Sequence, residues 1–111
     1  MTKVYNKLVR DGIPRIIAED GNRCTTRVLE TREYLEALDA KLTEELAEYQ
    51  QSKSLEELAD LLEVIHALVK ARGHSWQELE QLRQQKAAAR GGFEERIFLL
   101  EVTEQASSYG K

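Results

Sequence analysis

The stretch TREYLEALDAKLTEELAEYQQ at residues 31–51, followed after two further residues by SLEELADLLEVIHALVKAR at 54–72, decides the fold. In the first, Leu35, Leu38, Leu42, Leu46 and Tyr49 recur at the three- and four-residue intervals of an amphipathic helix. In the second, Leu58, Leu61, Leu62, Ile65, Leu68 and Val69 do the same. Thr31 is placed to cap the first helix, and Ser54 with Glu57 has the capping-box spacing that opens the second. That helix runs to about Arg72, where Gly73 ends it. Ser75 with Glu78 repeats the box and opens a third helix to Ala89, with Trp76, Leu79 and Leu82 as its buried edge and Gly91-Gly92 as its stop. Links this short make neighbouring helices antiparallel.

Upstream, residues 4–12 read as an extended segment or loop. Pro14 suits the first position of a short helix over 14–20, with Gly21 just past its end. Residues 25–30 and 96–101 are β-branched or strongly apolar, so a short two-stranded element between them stays open; helix propensity also claims the second stretch. The expected fold is mainly α, one helical-bundle domain over 1–111. Ser107, Ser108 and Tyr109 are expected to fray.

Composition narrows the function. A chain of 111 residues with one proline and six glycines suits long helices. Cys24 has no partner for a disulfide, and a cytoplasmic setting follows. Nothing approaches a membrane-spanning apolar run of about 18 residues. The net charge of −4 conceals an uneven distribution: residues 33–66 hold ten acidic side chains against two basic ones. That argues against a nucleic-acid partner. It demands either a solvated helix face or bound cations.

Spacing sharpens the choice. At about 100° per residue from Leu42, Glu45 falls near −60° and Glu48 near −120°, on one flank of the stripe, while Glu44 points away. From Leu58, Glu57 falls near −100° and Asp60 near −160°, again one flank, with Glu56 and Glu63 on the far side. Two antiparallel helices with these flanks facing gather four carboxylates. Like charges so placed repel and raise one another's pKa. Magnesium removes that cost, because it takes hard oxygen ligands and bridges carboxylates to phosphates. The competing reading is a plain solvated face, with Glu57 serving only the capping box.

Lys41 to Glu48, followed by Glu57-Leu58-Ala59-Asp60-Leu61-Leu62, resembles the paired EExxE and ExxD motifs of the MazG-like all-α nucleoside triphosphate pyrophosphohydrolases, a superfamily that includes phosphoribosyl-ATP pyrophosphohydrolase. The ends, Tyr5-Asn6-Lys7-Leu8-Val9-Arg10-Asp11 with Ile13-Pro14, and Lys86 with Arg90-Gly91-Gly92-Phe93, are similar to a small house-cleaning branch. One departure is the gap of eight residues between Glu48 and Glu57, shorter than in longer relatives. The resemblance implies hydrolysis of a nucleoside triphosphate between its α and β phosphates, with magnesium on Glu45, Glu48, Glu57 and Asp60 as the metal-binding and catalytic set. It also implies substrate contacts from Lys7, Arg10, Lys86 and Arg90. Phosphoribosyl-ATP as substrate, or a non-catalytic nucleotide- or protein-binding module, are the alternatives.

Arg83 shares a helical stripe with Lys86 and Arg90 and reads as a solubility charge. His66 reads as a hydrogen-bonded boundary residue, and Trp76 as a core anchor. Two or three helices seldom enclose a nucleotide alone, so a homodimer or larger assembly is expected, with no membrane partner.

Overall fold

The computed structural model of the chain describes residues 1–105, which contain four α-helices: α1 (Ile13–Glu19), α2 (Thr31–Ser52), α3 (Leu55–Ala71) and α4 (Trp76–Arg90). These residues divide into two compact units, one covering Met1–Leu79 and one from Glu80 onward; α4 begins in the first and continues into the second. The mainly α expectation holds. The two-stranded element does not form: residues 25–30 and 96–101 carry no strand, and Val28, Ile97 and Phe98 are exposed. β-branched composition favours a strand only where a partner edge and a buried face exist, and these side chains have no buried face. The expected fraying at Ser107, Ser108 and Tyr109 lies outside the described residues.

Within the first unit, α2 packs against α3. The link is short because Lys53 takes a left-handed conformation (φ 59°) and its N–H donates to the Tyr49 carbonyl at 2.7 Å. This αL cap closes one helix, and the next starts two residues on. The Ser54 hydroxyl accepts from the Glu57 N–H at 3.3 Å, so the first of the two capping boxes begins α3 as read. The second box is complete in both directions: Glu78 N–H to Ser75 Oγ at 3.1 Å, and Ser75 N–H to Glu78 Oε1 at 3.0 Å. Gly91, at φ +83°, follows α4 in a conformation that glycine adopts without strain. Two boundaries shift. Thr31 is the first helical residue of α2, and Glu30, extended and without a side-chain cap bond, precedes it; the Arg27 guanidinium instead pins the first turn through two bonds to Glu33, at 2.9 and 3.3 Å. Pro14 is the second residue of α1, one later than expected.

The seam between α2 and α3 is rotated from the leucine stripes. Its most buried side chains are Leu38 (3% exposed), Val64 (8%) and Glu45 (7%). Relative to the leucines this is about 60° around α2 and about 100° around α3. The apolar arc of α3, from Val64 round to Leu62, spans about 160° and is wider than one neighbouring helix covers. Leu46, Leu55, Leu58 and Leu62 therefore remain exposed. The far end of the seam is tied by Arg72 to Asp39 at 3.4 Å, and Trp76 stacks on His66 with ring centroids 3.9 Å apart and planes 9° from parallel. Trp76 thus anchors packing, as its position at a helix start suggested. No helix among the described residues is long and apolar enough to cross a membrane.

Candidate metal centre

The rotation of the seam sets the geometry of the acids. Glu45, expected at the margin of the buried face, sits at its centre. Opposite it, one turn into α3, come Glu57 and Asp60, both half-buried. One carboxylate oxygen from each of Glu45, Glu57 and Asp60 lies within 4.8 Å of the others. Three of the four acids read from the spacing are thus brought into one cluster. Glu48 is exposed and lies beside them, and its negative charge bears on both Glu45 and Glu57.

The cluster is electrostatically unsatisfied. Burial first, then Glu48, raises the Glu45 carboxyl above the usual glutamate range, and Lys41 at 3.5 Å only partly opposes this. Burial first, then Glu48 and Asp60, raises Glu57 likewise. Oε2 of Glu45 and Oε2 of Glu57 are buried without a hydrogen-bond partner. A buried charged acceptor left alone costs more free energy than almost any other polar defect in a small protein. A hard divalent cation with oxygen ligands fits this donor set. The solvated-face reading does not account for Glu45, which is 7% exposed.

Around the cluster lies a ring of cations. Arg10 donates to Asp60 Oδ1 at 2.7 Å, and Lys7 donates to Glu44 Oε1 at 3.1 Å. Lys41 reaches Glu44 at 2.9 Å as well as Glu45. The Lys41 bond, followed by that from Lys7, holds the Glu44 carboxyl below its ordinary range, and the Glu44 bond raises the Lys7 ammonium. A cleft of about 330 Å³ opens between residues 8–11 and the α2–α3 seam, lined by Tyr34, Lys41, Glu45, Asp60 and Glu63 among others. That volume is at the small end of ligand pockets.

Lys7 and Arg10 therefore lie at the acids. Lys86 and Arg90 are exposed on the part of α4 that belongs to the second unit, whereas all four acids belong to the first. Arg83 pairs with Glu80 at 2.6 Å, the surface role read for it. Sequence reasoning missed Lys41 and misjudged Glu44 and Glu63. Glu44, expected in solvent, is half-buried between two lysines, and Glu63, expected on the far side, lines the cleft. The signal was present for Lys41, which precedes Glu45 by one turn on the same side of α2.

A Mycolicibacterium smegmatis protein described as uncharacterized is 52% identical over 42 residues, which make up 38% of this chain. The chain spans 43% of that relative's length. No family model matches the chain, and no solved structure does.

Proposed function

We propose that the protein is a magnesium-dependent nucleoside triphosphate pyrophosphohydrolase of the MazG-like kind, cutting between the α and β phosphates. The observation that carries the reading is the three-acid cluster with two buried carboxylate oxygens that no described residue satisfies. The paired acidic motifs and both chain ends support it further. Glu45, Glu57 and Asp60 hold magnesium, with Glu48 beside them at the solvent edge. When bound, the ion supplies charge neutralisation at the phosphate oxygens and a more acidic water. Phosphoryl transfer needs mainly positioning from the protein. Lys7 and Arg10 bind phosphate oxygens, and one carboxylate accepts the proton of the attacking water. The water oxygen bonds to the α phosphorus, the α–β bridging bond breaks, and pyrophosphate leaves with the electron pair.

The active form is a homodimer in the cytoplasm. Leu46, Leu55, Leu58 and Leu62 form an uncovered apolar face on the α2–α3 pair, which a second copy covers. The exposed thiol of Cys24 is compatible with a reducing compartment.

The test is pyrophosphate release from a panel of canonical and modified nucleoside triphosphates, with phosphoribosyl-ATP alongside. Release that needs magnesium and disappears in Glu45→Ala and Asp60→Ala supports the reading. Undiminished release in both variants overturns it, as does nucleotide binding without turnover at saturating magnesium.

A further inference from the structure

The amino-terminal segment reaches the acid cluster chiefly through charge. Among residues 1–11 only Leu8 is even half-buried, and the segment has no helix or strand. Asn6, at φ 47°, turns the chain so that Lys7 arrives at Glu44 and, three residues on, Arg10 arrives at Asp60. These two contacts span 37 and 50 residues of sequence. Both pairs are half open to water, with side-chain exposures of 43% and 31% for Lys7–Glu44, and 55% and 41% for Arg10–Asp60. Exposed pairs of this kind hold weakly and exchange partners readily. Asp60 is one of the three acids whose oxygens converge, and Glu45 in the same cluster is over nine-tenths buried with an oxygen unpartnered. Residues 8–11 also wall the cleft that Glu45 and Asp60 line.

We propose that Lys7 and Arg10 are exchangeable counter-ions of the acid cluster, standing in for the divalent cation in the metal-free chain and passing to the substrate phosphates when the cation binds. The inference rests on the divalent-ion reading above and adds the order of events to it. Two positive charges beside four carboxylates offset part of their mutual repulsion while no ion is present. A divalent ion among Glu45, Glu57 and Asp60 repels the Arg10 guanidinium and weakens its hold on Asp60. The side chain, still tethered at the cleft wall, then meets the phosphate oxygens that arrive with the metal. A guanidinium is suited to them because its fork of N–H donors matches a phosphate in two parallel bonds. One pair of residues thus guards the site when it is unloaded and completes it when it is loaded.

The signature is a reversal of sign between two ligands. Mn²⁺ alone, followed by electron paramagnetic resonance on the full chain, should bind Arg10→Gln and Lys7→Gln about two- to fivefold more tightly than wild type, because a competing cation has been removed. Tripolyphosphate in the presence of saturating Mg²⁺ should bind the same variants about tenfold more weakly. Arg10→Lys, which keeps the charge, should return the Mn²⁺ affinity to the wild-type value. Backbone ¹⁵N heteronuclear NOE values at residues 7–10 should fall when Mg²⁺ is added and recover when tripolyphosphate follows. Mn²⁺ affinity unchanged or weakened in both variants, or a segment whose NOE values ignore Mg²⁺, overturns the exchange while leaving the metal site standing. Failure of wild type to bind Mn²⁺ overturns both, and the titration alone separates that case from the first.

Discussion

Replacing Glu45 with glutamine is expected to stabilise the metal-free protein and to destabilise the magnesium-loaded one relative to wild type. Glu45 is 7% exposed, its Oε2 has no partner among the described residues, and its ion-pair partner Lys41 is 3.5 Å away. An unsatisfied charged acceptor costs roughly 1–3 kcal/mol, of which the ion pair returns up to about 1. Glutamine keeps the shape and removes the charge that Glu48 and Asp60 oppose. Its amide also offers donors to a cluster that has none to spare, including Oε2 of Glu57. The gain is about 1 kcal/mol, or roughly 4 °C in Tm for a domain of this size. Magnesium at a hundred times its Kd adds about 2.7 kcal/mol to a chain that binds it, and little to one that has lost a ligand. The order of stability therefore inverts. Thermal melts followed by circular dichroism, in EDTA and in excess magnesium, read both differences. A glutamine variant less stable than wild type in EDTA, or an equal rise in Tm for both proteins on adding magnesium, would refute the reasoning.

Leu38→Ala opens the best-buried position of the α2–α3 seam, 3% exposed, and is expected to cost about 2–4 kcal/mol in urea unfolding. Ser54→Ala removes the acceptor for the Glu57 N–H and should cost about 1 kcal/mol, with Ser54→Asp restoring most of it in the same assay. Folded Glu45 and Glu57 hold their protons more tightly than the ordinary glutamate value of 4.5, so their ionisation lowers stability as pH rises from that value through their raised pKa. Glu44 has the opposite sign, and its contribution is lost as pH falls below 4.5 through its lowered pKa. Urea melts of the metal-free chain across acidic to neutral pH should show the first decline in wild type and its loss in Glu45→Gln/Glu57→Gln. Leu62→Glu, at a side chain 48% exposed, should leave the helical circular dichroism intact and convert the proposed dimer to a monomer by light scattering.

Helix boundaries were legible because their signals are local. Ser54 and Ser75 with their partners three residues on, and Gly73 and Gly91 just past helix ends, act within one turn of backbone. The acid cluster was legible because an i, i+3 spacing fixes two side chains to one flank whatever lies opposite. The rotation of the seam was not. It depends on which part of an apolar arc of about 160° a neighbour covers, and a sum over hydrophobic residues cannot divide one face into two. Glu44 and Glu63 were misplaced for that single reason, since turning each helix toward its acids carries both from the far side to the rim. The pairing of Arg10 with Asp60 spans 50 residues and leaves no periodic trace.

The α2–α3 seam thus has two chemically different halves. Around Leu38 and Val64 it is an ordinary apolar contact, each side chain contributing about 1.5–3 kcal/mol by burial. Around Glu45, Glu57 and Asp60 it is acidic, under-solvated and incompletely bonded. A leucine at position 45 would extend the first half and suit the fold better, because burial there would then add stability where a buried carboxylate subtracts it. Folding requirements alone do not place a carboxylate with an unpartnered oxygen at one of the three best-buried positions among the described residues. The proposed cation would account for it, since binding there would turn the least stable part of the seam into the part most strengthened by its ligand. The same argument accounts for the lysine and arginine beside the acids: with no ion bound the carboxylates there need positive charge, and Lys7 and Arg10 of the amino-terminal segment supply part of it.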